Sequence, residues 1–267
     1  MTAASPVTVP SLAAMKADGQ PITMLTAYDA SFARLIDDAG IDCVLVGDSL
    51  GNVIQGRDST LPVTVDDMAY HTQAVRRGLD RALLIADLPF MSYHDQASAM
   101  ASAAAVMRAG AQMVKLEGGA AHAGTVAALV ANGVPVCAHL GLTPQHVHQL
   151  GGYRVQGRDE GPARRLKADA ELLAEAGAGM LVLECVPAPL AREVARSLSI
   201  PVIGIGAGSE VDGQVLVLYD MLGVSPGRAP KFVHDFLAET GDVRRALAAY
   251  VAAVRERRFP GAEHAWQ

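Results

Sequence analysis

The sequence predicts an α/β chain folded as a (β/α)8 TIM barrel, with a short N-terminal helix and further helices near the C-terminus. Three observations carry that expectation. Eight short, apolar, β-rich packets alternate with amphipathic helical stretches, the pattern of repeated βα units. The 267 residues suit a single α/β barrel, which commonly needs about 250, better than two ordinary domains. Four of the packets also end on an acid, and in a parallel barrel all strands finish at one rim, where such residues can converge.

Taken in order, Val9–Ala17 is expected to form a short helix plugging the bottom of the barrel. Strands are expected at Ile22–Ala27, Cys43–Gly47, Ala82–Ala86, Met113–Leu116, Val134–His139, Met180–Leu183, Val202–Ile205 and Val215–Leu218. Helices are expected at Ser31–Ala39, Asp66–Arg77, Asp95–Ala109, Gly124–Ala131, Pro162–Ala176 and Pro189–Ser197. Five of these connections carry a helix-ending glycine, Gly40, Gly78, Gly110, Gly133 or Gly177, which can turn left-handed without a Cβ penalty. The last strand is the weakest, because Val215–Leu218 could equally begin a helix. Phe232–Thr240 and Val243–Arg257 read as helices, the latter with a charged outer face. With no linker or low-complexity tract, one barrel domain is expected over residues 1–267.

Composition excludes several function classes. The net charge of −6 gives no support to binding nucleic acid or an anionic membrane surface. No apolar run approaches the roughly 20 residues needed to cross a bilayer. Met1 to Pro10 lacks the basic start and apolar stretch of a signal peptide. Cys43, Cys137 and Cys185 form neither a disulfide framework nor a zinc spacing, and each sits in or beside an apolar run. The expectation is a reduced, soluble, cytoplasmic protein.

The chemistry sits at the strand ends. Leu45-Val46-Gly47-Asp48, Leu84-Ile85-Ala86-Asp87, Val114-Lys115-Leu116-Glu117 and Leu181-Val182-Leu183-Glu184 each bring an apolar run to a carboxylate. A carboxylate is expensive to bury, so four of them need a reason. Three converging acids, Asp48, Asp87 and Glu117, suit a hard divalent cation, and a fourth, Glu184, can serve as a base. Oxygen-only ligation favours Mg²⁺, or Mn²⁺, over Zn²⁺. Any one of these Asp residues read alone is an ordinary helix cap or turn former; their co-occurrence on separate strands is the argument.

Strand alternation groups Asp48 with Val46 and Val44, Asp87 with Ile85 and Leu83, Glu117 with Lys115 and Met113, and Glu184 with Val182. If these faces line the barrel, Lys115 enters the core just below Glu117 and needs a carboxylate or an anionic substrate as partner. The simpler reading of Lys115 is an internal salt bridge. His139 ends the fifth strand, either as a structural residue or as a partner for substrate or metal-bound water. Ser49 can offer a hydroxyl or N–H to a carboxylate, and nothing like Gly-x-Ser-x-Gly surrounds it. Tyr28-Asp29, after the first strand, also reads as facing the site, although Asp29 is at least as good a helix cap. Gly204-Ile205-Gly206-Ala207-Gly208 has the wrong spacing for a dinucleotide fingerprint. The segment Gly141 to Asp159, with Tyr153-Arg154 among glycines, is long enough to expect a lid or substrate loop, or else an oligomer contact.

At these residues the chain resembles the ketopantoate hydroxymethyltransferase (3-methyl-2-oxobutanoate hydroxymethyltransferase) family over nearly its whole length. The matching runs include Thr26-Ala27-Tyr28-Asp29, Val46-Gly47-Asp48-Ser49-Leu50-Gly51, Gln55 to Thr64, Ala86-Asp87-Leu88-Pro89-Phe90-Met91 and Val114-Lys115-Leu116-Glu117-Gly118-Gly119. They continue through His139-Leu140-Gly141-Leu142-Thr143-Pro144-Gln145, Val182 to Pro187, Pro201–Gly208 and Phe236 to Asp242. The resemblance implies a barrel of the phosphoenolpyruvate/pyruvate superfamily that binds Mg²⁺ and assembles as a homodecamer. It implies transfer of a one-carbon unit from 5,10-methylenetetrahydrofolate to α-ketoisovalerate through a metal-stabilised enolate, in pantothenate biosynthesis. It matches Asp48, Asp87 and Glu117 to the metal site, Asp48, Ser49, Asp87 and Lys115 to keto-acid contacts, and Glu184 to the proton acceptor. His139 joins the expected substrate-binding set. The nearest alternative is a lyase or mutase of the isocitrate-lyase or phosphonopyruvate type. A catalytic cysteine loop would favour that lyase, and only Cys185 comes near the rim. A catalytically silent barrel is the other alternative, and loss of one acid or of Lys115 would have pointed to it.

Overall fold

The computed structural model describes residues 5–225, 227 and 229–267, so the first four residues of the Met1 to Pro10 stretch lie outside it. The apolar packets form β1 (Ile22–Thr26), β2 (Cys43–Val46), β3 (Leu83–Asp87), β4 (Met113–Glu117), β5 (Val136–Gly141), β6 (Met180–Glu184), β7 (Val202–Ile205) and β8 (Gly213–Leu216). Each strand pairs in parallel with the next, and β1 pairs with β8, closing the expected barrel. Nearly every strand residue is buried, because the inner face packs on itself and the outer face lies under helices. That double burial explains why the strands read as continuous apolar runs.

Helices Ala30–Asp38, Val65–Arg76, Gln96–Arg108, Ala123–Ala131, Glu160–Glu175 and Ala188–Ser197 form the outer ring. Local chemistry sets several of their starts. Asp29 is a cap: its Oδ1 accepts from the N–H groups of Ser31 (2.8 Å) and Phe32 (2.9 Å). Thr64 and Asp67 form a capping box, and Asp95 accepts from the Ser98 N–H. Four of the five expected glycine stops have positive φ. Gly78 does not; it is required for close approach, since a Cβ there would lie 2.4 Å from the Ala30 carbonyl oxygen.

The N-terminal helix Val9–Ala17 packs at the N-terminal ends of the strands, as expected. Its Lys16 Nζ donates to Asp212 Oδ2 (2.7 Å), and that oxygen also accepts from the Val202 N–H as β7 begins. At the far end of the chain, helix Val243–Arg255 seals the seam between first and last strands. The buried Tyr250 hydroxyl lies 2.9 Å from the carbonyl oxygens of both Met24 and Gln214.

Three expectations are corrected. The last strand runs Gly213–Leu216 rather than Val215–Leu218. Only glycine fits at 213, where a Cβ would sit 2.3 Å from the Ile22 carbonyl, and Leu218 instead opens a one-turn helix whose N–H is held by Thr26 Oγ1. The fifth strand begins at Val136, after Pro135, and runs on to Gly141. Residues Phe232 to His234 are not helical; Asp235 caps a shorter helix, Phe236–Thr240, by accepting from the Ala238 N–H. The long loop after β5 carries a 3₁₀ turn at Pro144–His146 and a helical turn at Val147–Leu150.

Candidate active site

The C-terminal ends of the strands surround a cavity of about 750 Å³, lined by Asp48, Ser49, Asp87, Lys115, Glu117, His139 and Glu184. All seven residues singled out in the sequence therefore share one chamber. Register explains five of them. Asp87 lies across from Lys115, Glu117 across from His139, and His139 across from Val182, two residues before Glu184. Residues opposite one another in neighbouring strands share a face, so these five side chains point inward together.

Asp48 arrives differently, and the alternation argument fails for it. Thr26 pairs with Leu45 and Leu45 with Ile85, so Leu45, not Val44 or Val46, faces the interior. The strand stops at Val46, and a turn through Asp48 and Ser49 into helix Leu50–Val53 swings Asp48 back over the rim. Its N–H donates to Asp87 Oδ2 at 3.0 Å. Gly47 leaves the inner position bare: a Cβ there would lie 2.8 Å from Ser49 Oγ and 3.6 Å from Asp87 Oδ2. Ser49 Oγ lies 2.9 Å from the hydroxyl of the buried Tyr28.

Charges in this chamber are closely coupled. Lys115 Nζ donates to Asp87 Oδ1 at 2.7 Å and stands 3.9 Å from Glu117 Oε1. Burial opposes the ammonium charge, but Asp87, Glu117 and Asp48 raise Lys115 above the usual lysine range. His139 bridges two acids, with Nδ1 3.4 Å from Glu117 Oε1 and Nε2 3.3 Å from Glu184 Oε2, although neither nitrogen has an aligned hydrogen bond. Burial and the Lys115 charge disfavour the imidazolium, yet the flanking carboxylates outweigh them and lift His139 to about 9. Burial pushes Glu117 up, while His139, Lys115 and the Gln145 N–H more than offset it and leave the carboxyl below its usual range. Asp48 goes the other way. Burial, then the charges of Asp87 and Glu117, push it well above the carboxylate range.

Four carboxyl groups thus share a buried chamber with the Lys115 amino group and the His139 ring. Among the described residues, no three His, Cys, Asp or Glu side chains are already arranged to enclose a metal ion. The donor set nevertheless fits a hard cation, since Asp48, Asp87 and Glu117 present carboxylate oxygens with too little positive charge nearby.

Above this floor the cavity widens between Arg57, Tyr153, Lys231, Phe232 and Trp266. Tyr153, from the long loop after β5, lines the cavity; Arg154 is not among the lining side chains of the described residues. Cys185 lines the cavity too, but burial and then Glu184 raise its thiol, and its backbone is left-handed (φ 49°) as the chain leaves β6.

The sequence reading missed Gln145 and Tyr93. Gln145 is buried, its N–H donates to Glu117 Oε2 (3.0 Å) and its Nε2 to Asp48 Oδ2 (2.8 Å). A polar residue in a loop after a strand carries no periodic signal. The cues were Gln145's place at the end of the family-matching run from His139 and four residues beyond the end of an acid-flanked strand.

The family model described as ketopantoate hydroxymethyltransferase matches residues 6–262. The chain is 59% identical over 259 residues to 3-methyl-2-oxobutanoate hydroxymethyltransferase 2 of Pseudomonas entomophila, covering 97% of each chain. It is 56% identical over 258 residues to the 3-methyl-2-oxobutanoate hydroxymethyltransferase of Colwellia psychrerythraea, covering 97% of this chain and 98% of that one. Among solved structures, 2,3-dimethylmalate lyase, a PEP mutase/isocitrate lyase superfamily member, shares the fold with a TM-score of 0.59 at 19% identity, covering 80% of this chain and 82% of that one.

Proposed function

The chain belongs to the ketopantoate hydroxymethyltransferase family of enzymes, and from that premise we propose that it transfers a hydroxymethyl unit to 3-methyl-2-oxobutanoate (α-ketoisovalerate), giving 2-dehydropantoate. The proposed one-carbon donor is 5,10-methylenetetrahydrofolate, and the proposed setting is pantothenate and coenzyme A biosynthesis. The observation that carries this reading is the buried chamber in which Asp48, Asp87, Glu117 and Lys115 stand beside the His139–Glu184 pair.

Asp48, Asp87 and Glu117 would hold Mg²⁺ or Mn²⁺. When bound, such a cation supplies Lewis-acid stabilisation of negative charge at the keto oxygen. Lys115 balances the substrate carboxylate, and Ser49, oriented by Tyr28, offers it a hydrogen bond. Glu184 accepts the proton from C3, and His139 beside it stabilises the carboxylate that does so. The electron pair left at C3 attacks the methylene carbon of the folate; the C–C bond forms, both carbon–nitrogen bonds of that methylene break, and water supplies the hydroxyl, while the proton taken by Glu184 and the second proton of the water end on the two folate nitrogens, giving tetrahydrofolate. Val182, Ile205 and Val215 give the chamber apolar walls that limit water around the reacting carbon.

The cavity is far larger than a five-carbon keto acid needs. Its outer walls, with Tyr153, Phe232 and Trp266 beside the cations of Arg57 and Lys231, suit a flat heterocycle carrying an anionic tail. The folate is assigned there, with the loop after β5 as one wall. Deleting Tyr153-Arg154 without changing the folate Michaelis constant would defeat that assignment. Buried free thiols suit the reducing cytoplasm, and no helix among the described residues is long and apolar enough to cross a membrane. A homo-oligomer, a decamer by resemblance, is the proposed assembly.

The test is ¹H NMR of α-ketoisovalerate in D₂O with the protein and either Mg²⁺ or EDTA, before and after adding methylenetetrahydrofolate. Metal-dependent loss of the C3 proton signal, then 2-dehydropantoate after folate, is expected. Exchange without product would overturn the donor; no exchange at all would overturn the reaction class.

A further inference from the structure

We propose that Gln145 is a positioning residue that aims two of the acids at the cation, with Tyr93 fixing which way its amide points. The proposal rests on the reading of Asp48 and Glu117 as metal-holding groups. One residue occupies one oxygen of each acid, through its N–H to Glu117 Oε2 (3.0 Å) and its Nε2 to Asp48 Oδ2 (2.8 Å). Gln145 leaves the other oxygen of each acid free of itself: Glu117 Oε1 stands beside Lys115 and His139, and Asp48 is among the residues that line the chamber.

The amide has only one workable orientation. Its second Nε2 hydrogen goes to the Leu88 carbonyl oxygen at 3.0 Å, so the amino group faces two acceptors. Its Oε1 faces the Tyr93 hydroxyl at 2.5 Å. That hydroxyl also accepts from the Glu117 N–H (3.3 Å); of the two acceptors for its hydrogen, Gln145 Oε1 is much nearer than the Glu117 carbonyl oxygen at 3.2 Å. Turning the amide over would put oxygen against the Asp48 carboxyl and the Leu88 carbonyl, and would push the Tyr93 hydrogen from its 2.5 Å partner to the more distant Glu117 carbonyl. Gln145 and Tyr93 are both buried, so water cannot easily replace these bonds. A glutamine is required, because neither Glu nor Met supplies both donors and the acceptor.

Groups that orient metal ligands without touching the metal typically change metal affinity by about 10- to 100-fold when removed. The experiment measures Mn²⁺ binding to the full-length protein by EPR, comparing wild type with Gln145→Met and Gln145→Glu, alongside C3 exchange and thermal melting. The expected result is Mn²⁺ binding weakened about 10- to 100-fold in Gln145→Met, with an altered line shape for the residual bound ion. Gln145→Glu keeps the acceptor for Tyr93 but turns a carboxylate oxygen toward Asp48, so its Mn²⁺ affinity and line shape should also depart from wild type. Folded variants with Mn²⁺ affinity and line shape within twofold of wild type would overturn the proposal. If Gln145→Met does not fold, Tyr93→Phe carries the test, because it removes the hydroxyl bonded to the amide oxygen and to the Glu117 backbone while keeping the ring. Unchanged Mn²⁺ binding in Tyr93→Phe overturns the proposal, and weakened binding supports it. Absence of Mn²⁺ binding in wild type would instead overturn the metal-site reading on which the proposal stands.

Discussion

Replacing Lys115 with methionine isolates the strongest charge interaction in the chamber. The side-chain stem is kept and only the ammonium is lost, so packing changes little. Asp87 then keeps the Asp48 N–H but loses its 2.7 Å partner, among two other buried acids. Breaking a buried pair by removing one member costs about 3–5 kcal/mol. Taking up a proton at pH 7 gives the chamber a way out that caps the loss at about 4 kcal/mol, since an ordinary aspartate titrates roughly three units lower. For a chain of this size that corresponds to a drop in Tm of about 8–16 °C. Urea unfolding in EDTA should show the midpoint moving with the slope unchanged. A divalent cation in the buffer should restore part of the loss, because it supplies the missing positive charge. A loss under about 1 kcal/mol with an unchanged slope would refute the reasoning, since a pair exposed to water is worth no more than that.

Glu184→Gln should still bind α-ketoisovalerate but slow C3 exchange by about 10²- to 10⁴-fold, and normal exchange by NMR would exclude Glu184 as the base. Tyr250→Phe leaves buried carbonyls at Met24 and Gln214 with a lost donor, and urea unfolding should show about 1–3 kcal/mol less stability. Thr64→Ala removes a capping box and should cost about 1 kcal/mol. The Thr64 hydroxyl and N–H hold Asp67 below the usual carboxylate range. The stability this gives is present above an unfolded value of about 3.9 and is lost as pH falls through the lower folded value. Acid titration of stability should therefore be shallower in Thr64→Ala than in wild type; equal slopes would remove Thr64 as the cause.

The barrel was legible because its signals are local. Apolar runs buried on both faces, Asp29 and Thr64 caps, and glycine stops such as Gly110 each declare themselves within a few residues. Asp87, Glu117 and Glu184 were legible for a similar reason, as the last residues of their strands. Asp48 reached the right chamber for the wrong reason: strand alternation does not survive a turn, and Gly47 rather than Val46 occupies the inward position. The β8 boundary depended on a contact between Gly213 and Ile22, far apart in sequence, which no window of neighbouring residues contains. Gln145 was hidden for the same reason. Its partners Asp48, Leu88, Tyr93 and Glu117 come from separate parts of the chain, and loops have no period to betray an inward side chain.

The seam between β1 and β8 also bears on how the molecule assembles. Every other strand pair joins neighbours in the chain, but this one joins Ile22 to Gly213, about 190 positions away. Closing it costs about 2 kcal/mol more in chain entropy than joining β1 to β2, taking roughly 0.6 for each doubling of length. During synthesis β1 therefore waits as an open edge, with Met24 and Leu25 on it, until Gly213–Leu216 and Tyr250 have emerged from the ribosome. Unpaired apolar edges are templates for association with other chains. The nascent chain is thus most exposed to aggregation just before its last fifth arrives, and variants at Gly213 or Tyr250 are expected to lower soluble yield more than their effect on the finished enzyme would suggest.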